Sequence, residues 1–435
     1  MSLQWVSMLT LSEILEAVPP GGLFPRGREL PWRASPEPLS LHHNIVRRLE
    51  GLGHVLAKFQ DASHALYRRS AAGKAVPWLA RLLDAGKPEW LVQAQRSDAL
   101  RQAAPRVIRP DLLLGQNELH LVELDSVPGG MGITLWLSQV YARAGYAVLG
   151  GAEGMLEGLR RAYPAGVRVA VSEESAAYRA EMRWLVQQLG AEFSYVEAER
   201  LSAQEQAPIY RFWELFDSEN IAAARALCEA SASAELELSP PPLAHLEEKL
   251  WLALLHMPGL QSQWQKELRA AHLQLLRRIV PHSWVVDPAP LPPQAALPWL
   301  NVHSWAEVAA MGRAERRLVL KISGFSPLAW GSRGVVIGHD VNPEQWQNAL
   351  QHALAVYDEN PWLLQEFCEA RMVEHPYYEA DGSVSLMRGR VRLCPYYLRS
   401  AEGVQLAGCL ATITPADKKK IHGMGDAILV PCVCK

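Results

Sequence analysis

Three acids in RPDLLLGQNELHLVELDSVPGGMG, residues 109 to 132, have the type and spacing to bind a cation: Asp111, Glu123 and Asp125, with Arg109 beside them. Gln116, Asn117 and Glu118 read as a short hairpin loop between DLLL and LHLVELD, which sets Asp111 opposite Glu123 and Arg109 opposite Asp125. Strand alternation then gathers all four side chains on one face and leaves Val122 and Leu124 on the other, suited to a core. Three carboxylates on one face repel one another unless protons or a hard cation neutralise them. Magnesium takes oxygen ligands and commonly holds substrate phosphates beside one or two carboxylates. The same residues would also make a plain polar face with one Arg–Asp pair, and a one-residue slip in register would undo the arrangement. Gly129, Gly130 and Gly132 could cradle a phosphate, but they lack GxGxxG spacing and read as a turn before a helix.

The distal sequence carries complementary groups. Lys321 ends the apolar run RLVLK, where an ammonium could reach phosphate from a rigid strand, or simply snorkel to solvent. In AWGSRGV, Gly331 and Gly334 suit a flexible loop over a polyphosphate, with Ser332, Arg333 and backbone amides as donors; an ordinary hairpin is the other reading. Arg388, Arg390 and Arg392 alternate in LMRGRVRL, placing three guanidinium groups on one strand face, as an anion surface or as an edge guard. Gln365, Glu366 and Phe367 offer polar and aromatic atoms for an adenine pocket, although such triplets are common.

These groups need a framework to bring them together. At 435 residues the chain has room for two or three domains, and with 49% hydrophobic and 20% charged residues it has the composition of an ordinary globular protein. A net charge of -3 without a long Lys/Arg block disfavours a nucleic-acid or anionic-membrane surface. The N-terminus, with Glu13 and Glu16 in its apolar stretch, does not read as a secretory signal, no long apolar run suggests a membrane span, and the cytoplasm is the expected location. Six cysteines without zinc spacing suggest reduced thiols.

The first hundred residues read as mainly helical, with Ile45, Leu49, Leu52 and Leu56 near helical spacing. VRVAVS, YRAEMRWLVQQLG, AEFSYVEA and APIYRFWELF predict a small α/β unit with parallel strands. Proline-rich stretches at 239–245 and 287–299 look like crossings, and LEEKLWLALLHM between them is a helical pattern. The last third is strand-rich, with hairpin turns expected at Asp381-Gly382 and Glu402-Gly403.

Taken in order, these parts resemble circularly permuted ATP-grasp ligases, particularly the synthetase domain of glutathionylspermidine synthetase and its uncharacterised relatives. The matching features are Arg109 and Asp111, Glu123 and Asp125 at the end of the next strand, the α/β region near 167 to 216, Lys249 in EEKLWLALL, Lys321, and GSRG. The resemblance covers most of the chain from about residue 100 onward. It implies a mixed α+β and α/β ATP-grasp-like fold: residues 1–160 with a helical region and the acidic hairpin, 161–240 as a small pre-ATP-grasp-like domain, and 241–435 as the nucleotide-binding region. It further implies that Asp111, Glu123 and Asp125 bind Mg2+, and that Arg109 faces the transferred phosphoryl group. Lys249 and Lys321 would hold ATP phosphates under the 331–334 lid, with Gln365 to Phe367 near the adenine. Arg390 belongs to the arginine strand read from alternation alone. Asp125 stands where the family usually has asparagine, the proline comes one position early, and the following glycines differ, departures that bear on the substrate more than on the fold.

The activity implied is ATP-dependent amide formation from a small-molecule or peptide carboxylate and an amine, through an acyl phosphate. No convincing Ser-His-Asp or Cys-His set competes with this reading. A non-catalytic nucleotide-binding or scaffold protein on the same fold is the alternative. A Rossmann oxidoreductase would need glycines that the turn at 172–178 lacks.

Overall fold

The computed structural model describes residues 8–20, 22–24, 29–116, 118–125, 127–292, 295–329, 331, 333–421 and 425–435. The chain is a mixed α/β protein. Its described strands are, in order, β1 (Leu39–Leu41), β2 (Val107–Leu114), β3 (Leu119–Asp125), β4 (Arg168–Val171), β5 (Ser194–Glu197), β6 (Ile209–Phe212) and β7 (Leu238–Ser239). There follow β8 (Ser283–Val285), β9 (Leu318–Ile322), β10 (Val335–Ile337), β11 (Trp362–Glu366), β12 (Met372–Tyr378), β13 (Val384–Ser400), β14 (Gly403–Pro415) and β15 (Ile428–Cys434). They form three sheets. The largest has the order β1-β15-β14-β13-β2-β3, with β12 also on β13; a second runs β10-β9-β11-β8, and a third β5-β4-β6-β7.

The third sheet is wholly parallel, as the strand-helix-strand alternation predicts. Its helix, Arg179–Leu189, stops at Gly190, whose φ of 108° suits glycine. The second sheet is antiparallel and has its own core, built around Trp346, Leu320 and Leu364. In the large sheet the turns at Asp381-Gly382 and Glu402-Gly403 join β12 to β13 and β13 to β14.

Helix His43–Ala71 buries Leu49, Leu52 and Leu56 against the large sheet, while Ile45 at its start is half-buried. Gly53 makes the close approach possible: a Cβ there would lie 2.4 Å from the Tyr397 ring, whose hydroxyl donates to the Leu49 carbonyl at 2.6 Å. The helix expected in LEEKLWLALLHM is confined to Leu250–Leu254, with Ala244–Glu247 in a tighter 3-10 turn. The two glutamates at its start are drawn into contacts elsewhere, Glu247 with Arg211 and Glu248 with Lys87. No described helix is long and apolar enough to cross a membrane.

Candidate functional site

The hairpin of β2 and β3 keeps the expected pairing where it matters, by a route the sequence does not show. Near the tip Leu114 faces Leu119 and Leu112 faces Leu121, one residue out of the expected register. A β-bulge at Val122 takes up the difference, so that Asp111 faces Glu123 and Arg109 faces Asp125. Asn117 at the loop tip lies outside the described residues. The bulge also has a use: the Val122 carbonyl accepts a hydrogen bond from Lys321 Nζ at 3.1 Å.

Each acid on this face has a cationic partner. Arg109 Nη2 lies 2.5 Å from Asp125 and 3.2 Å from Asp111; Arg392 Nη1 donates to Asp111 at 2.7 Å; Lys249 Nζ lies 3.1 Å from Glu123. The carboxyl of Asp111 is opposed by burial but held below its usual range by Arg392 and Arg109. Asp125 is pushed up, by burial first and then by Glu123 and Asp111, against the pull of Arg109. Burial works against the Lys249 ammonium, yet Glu123 holds it above the usual lysine range. Three acids on this face thus meet three cations, Arg109, Arg392 and Lys249.

Lys249 also donates to the carbonyls of Ser323 and Ala329, tying the start of its helix to the chain between β9 and β10. That segment contains Gly331 and Gly334. Together with Arg109, Asp111, Glu123, Asp125 and Lys249 they border one cavity of about 560 Å³. Its floor is a face of the large sheet, whose rows read Arg392, Thr412, Leu429 and Cys394, Leu410 across β13, β14 and β15. The ends of the parallel sheet supply another wall, including Tyr178, Phe212 and Glu214.

The remaining expected residues are placed as follows. Lys321 is buried against Val122 and Gln365 Oε1, the latter at 2.8 Å, and does not border the cavity; burial, aided by Lys249, lowers its pKa to about 8. Gln365 is buried and also donates to Ser283, Glu366 is exposed, and Phe367 packs edge-on against His339. Arg333 pairs with Glu174 of the parallel-sheet unit at 3.0 Å, linking the glycine loop across the cavity. Ser332 lies outside the described residues. Arg390 donates to the Ala416 and Lys418 carbonyls and lies 3.7 Å from Glu369; its neighbour two along, Arg392, is the guanidinium that reaches Asp111.

Sequence reasoning did not single out the glutamates on the far wall. Glu214 is pushed well above its ordinary pKa by burial, then by Glu247 and Asp125. Glu181 accepts from Gly132 N at 2.8 Å at the start of helix Met131–Arg143, and burial raises its carboxyl to about 7. Glu214 lies two residues past the end of β6, so the carboxyl end of a parallel strand was its one sequence signal.

The donor chemistry of the hairpin suits magnesium: Asp111, Glu123 and Asp125 offer hard carboxylate oxygens along one strand face. Among the described residues no three His, Cys, Asp or Glu groups converge as a finished metal site.

No family model matches this chain, and no curated protein matches it in sequence. Among solved structures, a glutathione synthetase-like effector from Globodera pallida, in its apo form, superposes with a TM-score of 0.53 at 12% identity, covering 98% of this chain and 96% of that one. A proposed gamma-glutamylcysteine synthetase from Methylobacillus flagellatus KT gives a TM-score of 0.38 at 13% identity over 78% of this chain and 81% of the other, too low to bear on the fold. The chain thus shares its overall fold with a glutathione synthetase-like protein over nearly its whole length.

Proposed function

We propose that this protein is an ATP- and magnesium-dependent carboxylate–amine ligase, with a circularly permuted ATP-grasp arrangement akin to the synthetase domain of glutathionylspermidine synthetase. The observation that carries the reading is the meeting of the hairpin acids, Lys249 and the Gly331–Gly334 loop around one cavity, although they come from separate parts of the chain. The fold shared with a glutathione synthetase-like protein supports it. On this reading residues 1–160, 161–240 and 241–435 divide the work into acidic hairpin, cavity wall and nucleotide-binding region.

Asp111, Glu123 and Asp125 would hold magnesium, which when bound neutralises charge on phosphoryl oxygens. Lys249 would exchange its contact with Glu123 for an ATP phosphate, whereas Lys321, which does not border the cavity, would brace the hairpin through the Val122 carbonyl. A substrate carboxylate oxygen attacks the γ-phosphorus; that P–O bond forms as the bond to the bridging oxygen breaks, and ADP leaves. Arg109 stabilises charge on the transferred group. The amine nitrogen then attacks the activated carbonyl, the C–N bond forms, phosphate leaves, and the amine gives up a proton.

Calorimetric titration with ATP, with and without magnesium, tests the site, and substrate-dependent ADP release tests the chemistry. Tight magnesium-dependent binding with turnover is the expected result. Binding without turnover over a broad panel of carboxylates and amines would instead identify a non-catalytic nucleotide-binding protein, and absence of ATP binding would sink both readings.

A further inference from the structure

The floor of the cavity changes character across three strands. At β13 it presents Arg392, beside Arg109; at β14 and β15 it presents Leu410 and Leu429. Leu23, Phe24 and Trp32 line the same cavity, with the Phe24 and Trp32 rings edge to face at 5.0 Å, and Arg33 next to Trp32 pairs with Ile428 next to Leu429. Phe24 also packs edge-on against Trp136, so this wall is braced by the helix that follows the hairpin. The row Arg392, Thr412, Leu429 is continuous in register, so two strand spacings, about 10 Å, separate the guanidinium strand from the leucine strand.

The charged end also has unused capacity. Arg109 Nε and Arg392 Nε are buried donors with no hydrogen-bond partner, though both guanidinium groups are otherwise engaged with Asp111 and Asp125. Buried donors left unmatched are costly, and an oxyanion beside them would satisfy them. An apolar wall continuous with such a site would be wasted on a substrate that is polar throughout, since burying a polar group there without a partner is unfavourable.

We infer that the acyl donor is a carboxylate bearing an extended apolar or aromatic group, its carboxyl at Arg109 and Arg392 and its apolar end between Leu429, Leu410, Phe24 and Trp32. This rests on the ligase reading and narrows its substrate class. Leu23, Phe24 and Trp32 thereby become the specificity wall of the site, with no direct part in the chemistry.

Hydroxylamine in place of the unknown amine tests this, because it captures the acyl phosphate as a hydroxamate and releases phosphate. With the full-length protein, ATP and magnesium, hexanoate and 3-phenylpropionate should exceed glutarate and γ-glutamyl peptides at least about tenfold in kcat/KM, the discrimination an apolar pocket gives for small changes in a side chain. Leu429→Phe, which fills the apolar end, should shift preference from hexanoate to butanoate, and Phe24→Ala should relax it. Equal or better use of glutarate, or an unchanged preference in both variants with native circular dichroism, would overturn the inference while leaving the ligase intact. Calorimetric titration of hexanoate without nucleotide separates the two claims: binding that Arg392→Gln abolishes, with no hydroxamate from any acid, supports the pocket and removes the ligase.

Discussion

The two ends of the cavity floor are parts of one sheet, yet they are held by opposite physics. At β2, β3 and β13 the side chains form an interlocked set of charges, in which Arg109 serves Asp111 and Asp125 while Arg392 shares Asp111. At β14 and β15 the same face holds Leu410 and Leu429, buried leucines that line the same cavity as the Phe24–Trp32 pair. Charges taken out of water tolerate the loss of a partner badly, whereas an apolar wall beside a cavity gives way more gently. The charged end should therefore be brittle and the apolar end adjustable.

Asp111→Ala should show this brittleness most clearly. It leaves two buried guanidinium groups short of a partner and should cost about 3–5 kcal/mol in chemical denaturation; a loss near zero would mean the charges are not interlocked. Glu123→Gln, at a half-exposed position, should cost only about 1 kcal/mol of stability. Its magnesium-dependent turnover should nevertheless fall about a hundredfold or more, and unchanged turnover would remove Glu123 from the ligand set.

Glu181, which borders the cavity beneath the start of helix Met131–Arg143, offers a test by pH. Its carboxyl titrates near 7 in the folded protein against 4.5 ordinarily. Between those values the folded state keeps a proton that the unfolded chain has released, so stability falls as pH rises through that window. The loss should total about 3 kcal/mol, and Glu181→Gln should flatten the dependence. A slope of the same size in the variant would assign it to other groups.

At the apolar end, Leu429→Ala should cost about 2 kcal/mol, at the low end for a buried leucine because one side already faces a cavity. The smallest effect should come from Arg390→Gln, which loses hydrogen bonds to the Ala416 and Lys418 carbonyls and a long, solvent-screened ion pair with Glu369, together worth about 1 kcal/mol, and should leave turnover unchanged. Arg392→Gln should by contrast lose turnover; equal behaviour of the two variants would erase the distinction the structure draws between them.

Much of the charged end was legible because strand alternation has a period of two and Arg109, Asp111, Glu123 and Asp125 follow it without a break. The bulge at Val122 was not, since a bulge exists only relative to a partner strand. Strand β12 passed unnoticed because Pro376 reads as a breaker, although it is tolerated here on an edge strand that pairs with β13 alone. The helix around Lys249 looked longer than it is, because periodicity cannot show that Glu247 and Glu248 bind elsewhere. The apolar wall left no signal: only the fold brings Leu23, Phe24 and Trp32 to the cavity that Leu429 of β15 also lines.

By itself, then, the sequence determined which side chains share a face, where the parallel unit lies and which chemistry the acids could do. These are local properties, set by backbone period and turn residues. Tertiary structure decided which cation meets which acid, that Arg392 and not Arg390 reaches Asp111, and that a charged floor runs on into an apolar one. Such choices depend on register between strands far apart in the chain, where a shift of one residue reverses every side chain.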